Sequence, residues 1–440
     1  MRMVGEATKV LLNFSFSNFR SFRDSQQFSF EPISGKKEEG PVRVAAVYGS
    51  NAAGKSNFLD ALGFVSSFVC NGYASGNDQS SIPITPFLLD SASPNLESEF
   101  SIEFDGPGSK FEYSFGVNKR EVTYENLIAY YSKQPSLLFD RAVEDGKQTV
   151  KFGGSFSGPK KQLWDITRKN SLLLSVAAAA GNEVIRPVYS ALTDGIAFYN
   201  APSYLIEMTN IKKLFIDDEP KAKMLANLLK FADIGIDDLD MRQSEGVVGL
   251  KDPFAGQSDL PEDIRRQMSE EFKWSYAYDL FFHHKGADGG RWFSSGQESD
   301  GTKAALAFFS VALRSLREGA VTLIDELDLS LHPSLLRDFV DLFADKATNP
   351  HGAQLIFSTH DVSLMTRTSP LEDVLERDQV WFVEKGADGA SQLISAMEYS
   401  PRSGENLGRN YMNGVYVSLP NPNFHQLFAG YMQEGVEAHG

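Results

Sequence analysis

The stretch VYGSNAAGKSNFLDAL, Val47–Leu62, decides how the rest of the chain is read. Gly49, Gly54, Lys55 and Ser56 fill every fixed position of the pattern GxxxxGK[ST], with Ser50, Asn51, Ala52 and Ala53 between them and Asn57 following. Glycine is needed where the backbone bends tightly and turns its amides toward phosphate oxygens. Lys55 is placed to reach terminal phosphates, and the Ser56 hydroxyl to ligate Mg²⁺. An apolar strand, VRVAAVYG, enters the loop and an amphipathic helix leaves it. That context matters because the helix N-terminus and the loop amides together make the anion site.

Three further stretches extend the pattern. In AVTLIDELDLSLHP, Ala320–Pro333, an apolar strand ends in Asp325 and Glu326. Such an ending puts Asp325 beside a metal ion, directly or through water, and Glu326 where it can polarise an attacking water. In AQLIFSTHD, Ala353–Asp361, a second buried strand exposes His360 at its end. A lone histidine is usually structural, but one helix and one strand beyond the acidic pair it suits a sensor of the terminal phosphate. In QESDGTKAALAFF, Gln297–Phe309, Ser299 and Gly301 stand just before a long helix. They read either as an ordinary N-cap or as a second phosphate-sized anion site. One chain needs only one γ-phosphate site, so a second makes sense if it serves the nucleotide held by a neighbouring chain.

Elsewhere the chain divides by periodicity. Residues 1–86 form the first half of an α/β core, beginning with the alternating run VLLNFSFSNFRSFRDSQQFSF. Residues 87–290 read as an insertion: short alternating runs such as FSIEFDG and KFEYSFGV predict an antiparallel sheet, followed by helical periodicity at 160–191 and 219–235. Polar, Gly-rich stretches at 243–259 and 284–290 predict loops. Residues 291–440 return to alternating helices and buried strands, which implies a mixed or parallel sheet with helices on both faces. No repeat and no sustained heptad is present.

Composition narrows the class. With 440 residues, 42% of them hydrophobic and 12% aromatic, the chain is long enough for two or three packed units. A formal charge of −16 repels polyanions over most of the surface, so nucleic acid would need a local basic patch. The best basic pairs, Lys160–Lys161 and Arg265–Arg266, read as solvated faces. The single cysteine, Cys70, forms no intrachain disulfide, fits a reducing cytoplasm, and is expected to be a small buried hydrophobe. The longest apolar run, LLLSVAAAA, is far shorter than the roughly 20 residues a bilayer needs, so no membrane partner is expected. The opening residues carry no cleavage site for a signal peptide. His283 and His284 lack a second ligand pair, so a loop or strand-edge role is expected for them.

Taken in order, the four motifs resemble the ATP-binding-cassette ATPases of the SMC and recombination-repair class, and within it the OLD-like ATPases of bacterial phage-defence and abortive-infection systems, of the RloA/AriA type. The resemblance extends to NFRSF (Asn18–Phe22), ITPFLLD (Ile84–Asp90) and the tail GRNYMNGVYVSLP (Gly408–Pro420). It implies an ABC-type core that takes ATP and Mg²⁺, with Glu326 as catalytic base and His360 as switch histidine. It makes Ser299 and Gly301 signature-loop residues acting across a dimer, and Ser330–His332 the loop joining the two sites. It allows Phe19 and Phe22 a place beside the adenine, although core packing explains them equally well, and the tail around Tyr411 and Tyr416 a role in docking the partner. The family's glutamine loop has no clear counterpart: Gln79 lies in too polar a context. About 80 residues follow His360, too few for the Toprim nuclease domain of the OLD nucleases.

The resemblance therefore implies a sensor or scaffold in anti-phage defence: an ATP-sandwiched homodimer or higher oligomer that controls a separately encoded effector, a nuclease, in response to a phage protein or DNA. A DNA-repair head that grips DNA across the dimer is the alternative. A transporter motor fits least, because ESDGT is not the glycine-rich transporter signature.

Overall fold

The computed structural model describes residues 10–32, 40–73, 77, 79–106, 109–232, 235–244, 262–329, 331–366, 375–399, 405–417 and 424–437. Ser330, most of the stretch 243–259 and the end of the tail motif, 418–420, lie outside the described residues, as do the side chain of Arg265 and the chain's first nine residues.

In chain order, β1 (Val10–Ser17), β2 (Gln26–Ser29) and β3 (Val44–Tyr48) lead into α1 (Lys55–Asn71). An antiparallel run follows: β4 (Ser98–Gly106), β5 (Ser109–Val117), β6 (Val122–Tyr130), β7 (Ser136–Glu144) and β8 (Lys147–Phe152). Next come α2 (Lys160–Ile166), α3 (Leu173–Ala179), α4 (Arg186–Thr193), β9 (Ile196–Tyr199), α5 (Ala201–Asp217) and α6 (Glu219–Phe231). Then β10 (Ile236–Gln243), α7 (Glu262–Ala277), β11 (Tyr278–His284) and β12 (Arg291–Ser294) precede the long α8 (Asp300–Glu318). The chain closes with β13 (Val321–Ile324), α9 (Pro333–Ala344), β14 (Gln354–Ser358), β15 (Val380–Lys385), β16 (Ser391–Ser395), α10 (Leu407–Met412) and α11 (Phe424–Glu437).

Three sheets result. A seven-stranded antiparallel sheet runs β2-β1-β4-β5-β6-β7-β8, a small one runs β10-β11-β12, and the core sheet runs β16-β15-β3-β14-β13-β9. All core pairings are parallel except β15 with β16. This is the α/β class expected, a mixed, mostly parallel core sheet with an antiparallel β region and a helical region beside it.

The core strands are apolar without alternation because both faces are covered. In β3, Ala45 and Val47 point into one core cluster with α1 and the antiparallel sheet. Val44, Ala46 and Tyr48 point into the opposite cluster with α9 and the tail. In the seven-stranded sheet the alternation survives: β4 reads buried, exposed, buried along Ser98, Glu99 and Phe100.

The structure departs from the linear division at two places. β1 and β2, from the N-terminal half, belong to the same sheet as β4–β8. β9, inside the interval 87–290, is a parallel core strand on the edge beside β13. A four-residue strand after three helices carries too little periodicity to be seen.

One smaller expectation is corrected, and two readings left open take a definite place. Cys70 is exposed, not buried, because the last turn of α1 buries Phe68 and Val69 and turns the thiol outward. We predict that it reacts with a thiol reagent such as Ellman's disulfide in the native protein, at a rate that denaturant does not greatly raise. Tyr411 and Tyr416, in the tail that the resemblance allows a role in docking the partner, are buried at 5% exposure each. Their rings stack on Phe382 at centroid distances of 5.6 and 5.1 Å. Phe19 and Phe22 likewise sit in the core, at 2% and 0% exposure, each edge-on to Phe16.

Candidate functional site

The phosphate loop is held from behind by two distant segments. Asn18 and Arg20 adopt φ of 50° each, which folds NFRSF into a tight turn closed by the Phe19–Phe22 bridge. Asn18 locks that turn onto the ITPFLLD segment: its Oδ1 accepts the Phe87 amide at 3.0 Å and its Nδ2 donates to the Ser93 carbonyl at 2.9 Å. From the turn, Ser21 Oγ accepts from Asn57 Nδ2 at 2.8 Å. Ser391, on β16, donates its hydroxyl to the Ala53 carbonyl at 2.5 Å. Two glycines are required by this packing. A Cβ on Gly49 would strike the Val383 carbonyl, and one on Gly54, at φ 122°, would lie 2.6 Å from Ser391 Oγ and 2.8 Å from Ser21 Oγ. Ala52 also has positive φ, 61°, so the loop carries some backbone strain.

Lys55 is the first residue of α1 and is 7% exposed. Its Nζ donates to the carbonyls of Gly49 at 3.0 Å and Ser50 at 3.2 Å, and lies 3.1 Å from His360 Nε2. Burial pulls the ammonium below its ordinary pKa, while Asp325, Glu326 and Asp328 pull it back up. Ser56 is exposed in the first turn of α1, as are Asn51 and Ala52 in the loop, while Ser50 is half-buried.

The acidic pair and the histidine reach the same place through sheet topology. β14 lies between β3 and β13, with Ser358 opposite Val47 and Phe357 opposite Ile324. All three strands are parallel, so the phosphate loop, Asp325–Glu326 and His360 leave from one carboxyl edge, where ligands bind in open α/β sheets. Ser358 Oγ donates to Asp325 Oδ1 at 2.6 Å and accepts the Glu326 amide at 2.7 Å. Glu326 is held at φ 55°, a conformation that costs a non-glycine residue on the order of 1–3 kcal/mol. Observed strain at an exposed carboxylate fits a residue positioned for chemistry. Asp328 accepts the His360 amide through Oδ2 at 3.2 Å, while its buried Oδ1 has no partner among the described residues.

His360 titrates below its ordinary value, first because of partial burial and then because of the Lys55 ammonium. The neutral ring is therefore the folded-state form, its Nε2 free to accept from Lys55. As pH falls through the unfolded histidine's pKa, the unfolded chain takes the proton first, so stability is lost on the acid side. In the nucleotide-free protein we predict an NMR midpoint for His360 below about 6.5, moving upward in Lys55→Met.

Ser299 and Gly301 stand apart from this group. Ser299 is the N-cap of α8: its Oγ accepts the Thr302 amide at 3.1 Å and pairs with Thr302 Oγ1 at 2.9 Å. No hydrogen bond among the described residues joins Ser299 or Gly301 to Lys55, Ser56 or His360. Both sit at the head of the helix whose own N-terminal amides favour an anion. His284 Nε2 pairs with Glu298 Oε1 at 2.6 Å, just before that loop, and His283 Nδ1 with Asp237 Oδ1 at 2.5 Å. Both histidines lie on β11 and pair with carboxylates of β10 and of the loop before α8, and no metal-holding group of three occurs among the described residues.

Sequence reasoning missed Tyr199 and Asn200. The register pairs Ile324 with Tyr199, which carries Asn200 abreast of Asp325, and the Asp325 amide donates to the Tyr199 carbonyl at 2.9 Å. Only the short apolar run IAFY could have signalled this. Gln79, the weak glutamine-loop candidate, is exposed in a turn whose amide bonds to Asn77. The residues that are present suit a magnesium-bound triphosphate: a hydroxyl at Ser56 and a carboxylate at Asp325 are hard oxygen donors.

Comparison with known proteins follows this geometry. The model of a family described as "AAA domain, putative AbiEii toxin, Type IV TA system" matches residues 44–366, a span holding all four motifs. No curated protein is a significant match. Among solved structures, the chain is similar to an SMC head bound to the C-winged helix domain of ScpA, at 16% identity and TM-score 0.42, covering 88% of this chain and 97% of that one. It is also similar to the SMC head domain from Thermotoga maritima, at 14% identity and TM-score 0.36, covering 88% and 98%. The ATP-bound recombination mediator RecF matches at 14% identity and TM-score 0.35, covering 90% and 100%. At such scores the fold assignment rests on the chain's own topology. No helix among the described residues is long and apolar enough to cross a membrane.

Proposed function

The chain belongs to this family of AAA domains, whose model spans most of it, and we propose that it binds and hydrolyses ATP with Mg²⁺ as the sensor or scaffold subunit of a cytoplasmic anti-phage defence system. The observation that carries this reading is the meeting of Lys55, Asp325, Glu326 and His360 at one carboxyl edge of the core sheet. The words "putative AbiEii toxin, Type IV TA system" in the family's description favour defence over repair.

In this mechanism Lys55 and the loop amides bind the phosphates, and Ser56 and Asp325 would hold Mg²⁺, which supplies charge neutralisation between the phosphates. Glu326 orients water and accepts its proton. His360 reports on the terminal phosphate through its contact with Lys55. Ser299 and Gly301 of a second copy complete the site, so two chains close over ATP and reopen on hydrolysis. Differential contacts in the closed state drive that change, and a separately encoded effector, a nuclease, is held or released by it.

Co-purification of the neighbouring gene product, together with Mg²⁺-dependent ATP turnover, tests the proposal. A chain that turns over ATP but retains no protein partner, and instead binds duplex DNA with an affinity falling steeply as salt rises, would assign it to DNA processing.

A further inference from the structure

The residues that lead into Ser299 are gripped by the small three-stranded sheet. β11 pairs with β12 so that Phe281 faces Ser294 and His284 faces Arg291. The chain then turns back along β11 through one 3-10 turn, Ser295–Gln297, in which Ser294 and Gln297 form a reciprocal capping box. Both ends of that turn are tied to β11. Ser295 Oγ donates to Asp279 Oδ1 at 2.5 Å, and His284 Nε2 meets Glu298 Oε1 at 2.6 Å.

Two extended residues, Glu298 at ψ 153° and Ser299 at ψ 151°, carry the chain from the turn into α8. The direction in which Ser299 enters the helix therefore depends on what holds Glu298. A carboxylate has no proton to give, so the ring Nε2–H of His284 donates in their contact. The Glu298 side chain is only 5% exposed, whereas Ser299 is exposed. The contact also removes an obstacle, because a carboxylate swinging free beside Ser299 would repel a phosphate. Asp300, the next acid, is paired with Lys303 at 2.9 Å.

We propose that His284 is a positioning residue for the Ser299 loop: through Glu298 it holds the serine and the first amides of α8 outward, in the arrangement that takes the phosphate of a neighbouring copy's nucleotide. This rests on the shared-site reading above, so the test has one arm that needs no nucleotide.

Hydrogen exchange on the nucleotide-free full chain is that arm. The amides of Thr302 and Lys303 bond to Ser299. In His284→Ala their exchange should quicken at least about tenfold, the effect of losing one hydrogen bond to a charged group, while amides in the middle of α8 keep the parent rate. The second arm uses the Glu326→Gln background with ATP and Mg²⁺. There His284→Ala should raise the ATP concentration that half-assembles the dimer, again at least about tenfold, yet leave ATP affinity unchanged at dilutions where chains are single. A merely structural role would weaken both together. His284→Gln, whose Nε2 replaces the ring donor, should restore exchange and assembly. Should His284→Ala fail to melt cooperatively, Glu298→Ala removes the other partner and carries the same expectations. Parent-like exchange at Thr302 and Lys303, or no rescue by His284→Gln, would overturn the proposal whatever ATP does. A Glu326→Gln parent that stays single with ATP, while the loop loosens in His284→Ala, would instead sink the shared site and with it this residue's part in it.

Discussion

Replacing Glu326 by Gln is expected to slow ATP turnover by about 10²–10⁴-fold, the usual contribution of a positioned general base, while leaving ATP binding intact. The carboxylate is exposed at the end of β13, and its backbone is fixed at φ 55° by the Ser358 hydroxyl that accepts its amide. Glutamine keeps that backbone and nearly the same volume but cannot take a proton. Removing a negative charge beside bound phosphates also lowers repulsion, so affinity should hold or rise. Single-turnover kinetics beside equilibrium binding separates the two effects. Loss of binding together with loss of rate would mean that Glu326 serves the architecture of the site rather than the chemistry.

Lys55→Ala should weaken ATP binding by about 10²-fold or more, since charged hydrogen bonds contribute about 1.5–3 kcal/mol each and the ammonium is the loop's only formal positive charge. The empty loop complicates the reading, because Lys55 there donates to the carbonyls of Gly49 and Ser50. Part of the loss could then come from a collapsed loop. Lys55→Met, which keeps most of the side-chain bulk, separates these causes: a lost charge leaves the melting temperature near that of the parent, whereas a collapsed loop lowers it in both variants. Binding of labelled ATP that survives either change within about tenfold would remove Lys55 from the phosphate contacts.

What was legible in the sequence follows from how each feature is encoded. The phosphate loop, the acidic pair and the STHD strand are local patterns, and parallel strands buried on both faces announce themselves as unbroken apolar runs. The long α8 was equally plain, because an N-cap serine and a glycine C-cap at Gly319, φ 63°, bound its helical period. The features missed depend on partners far away in sequence. β9 is four residues long and gains its place only by pairing with β13. Gln354 bonds both ways with the Leu11 backbone, 343 residues earlier, tying the core sheet to β1. Arg141 and Glu125, both 0% exposed, form a buried pair in which Glu125 accepts the amides of Leu173 and Leu174 at the start of α3. No spacing rule finds a clasp between sheet and helix of that kind. Cys70 was misplaced, and the stacking of the tail tyrosines on Phe382 was not foreseen, because solvent exposure at a helix end and ring stacking are tertiary facts.

The proposed catalytic centre is divided between two copies, with Lys55 and Glu326 on one and Ser299 and Gly301 on the other. Light scattering on the Glu326→Gln chain with saturating ATP and Mg²⁺ tests this most directly, since slow turnover traps whatever assembly ATP favours. The account predicts a mass of two chains or a multiple of two, reached only with nucleotide and lost when Ser299→Arg is added. A mass that nucleotide leaves unchanged, with Ser299→Arg hydrolysing ATP at the parent rate, would contradict it.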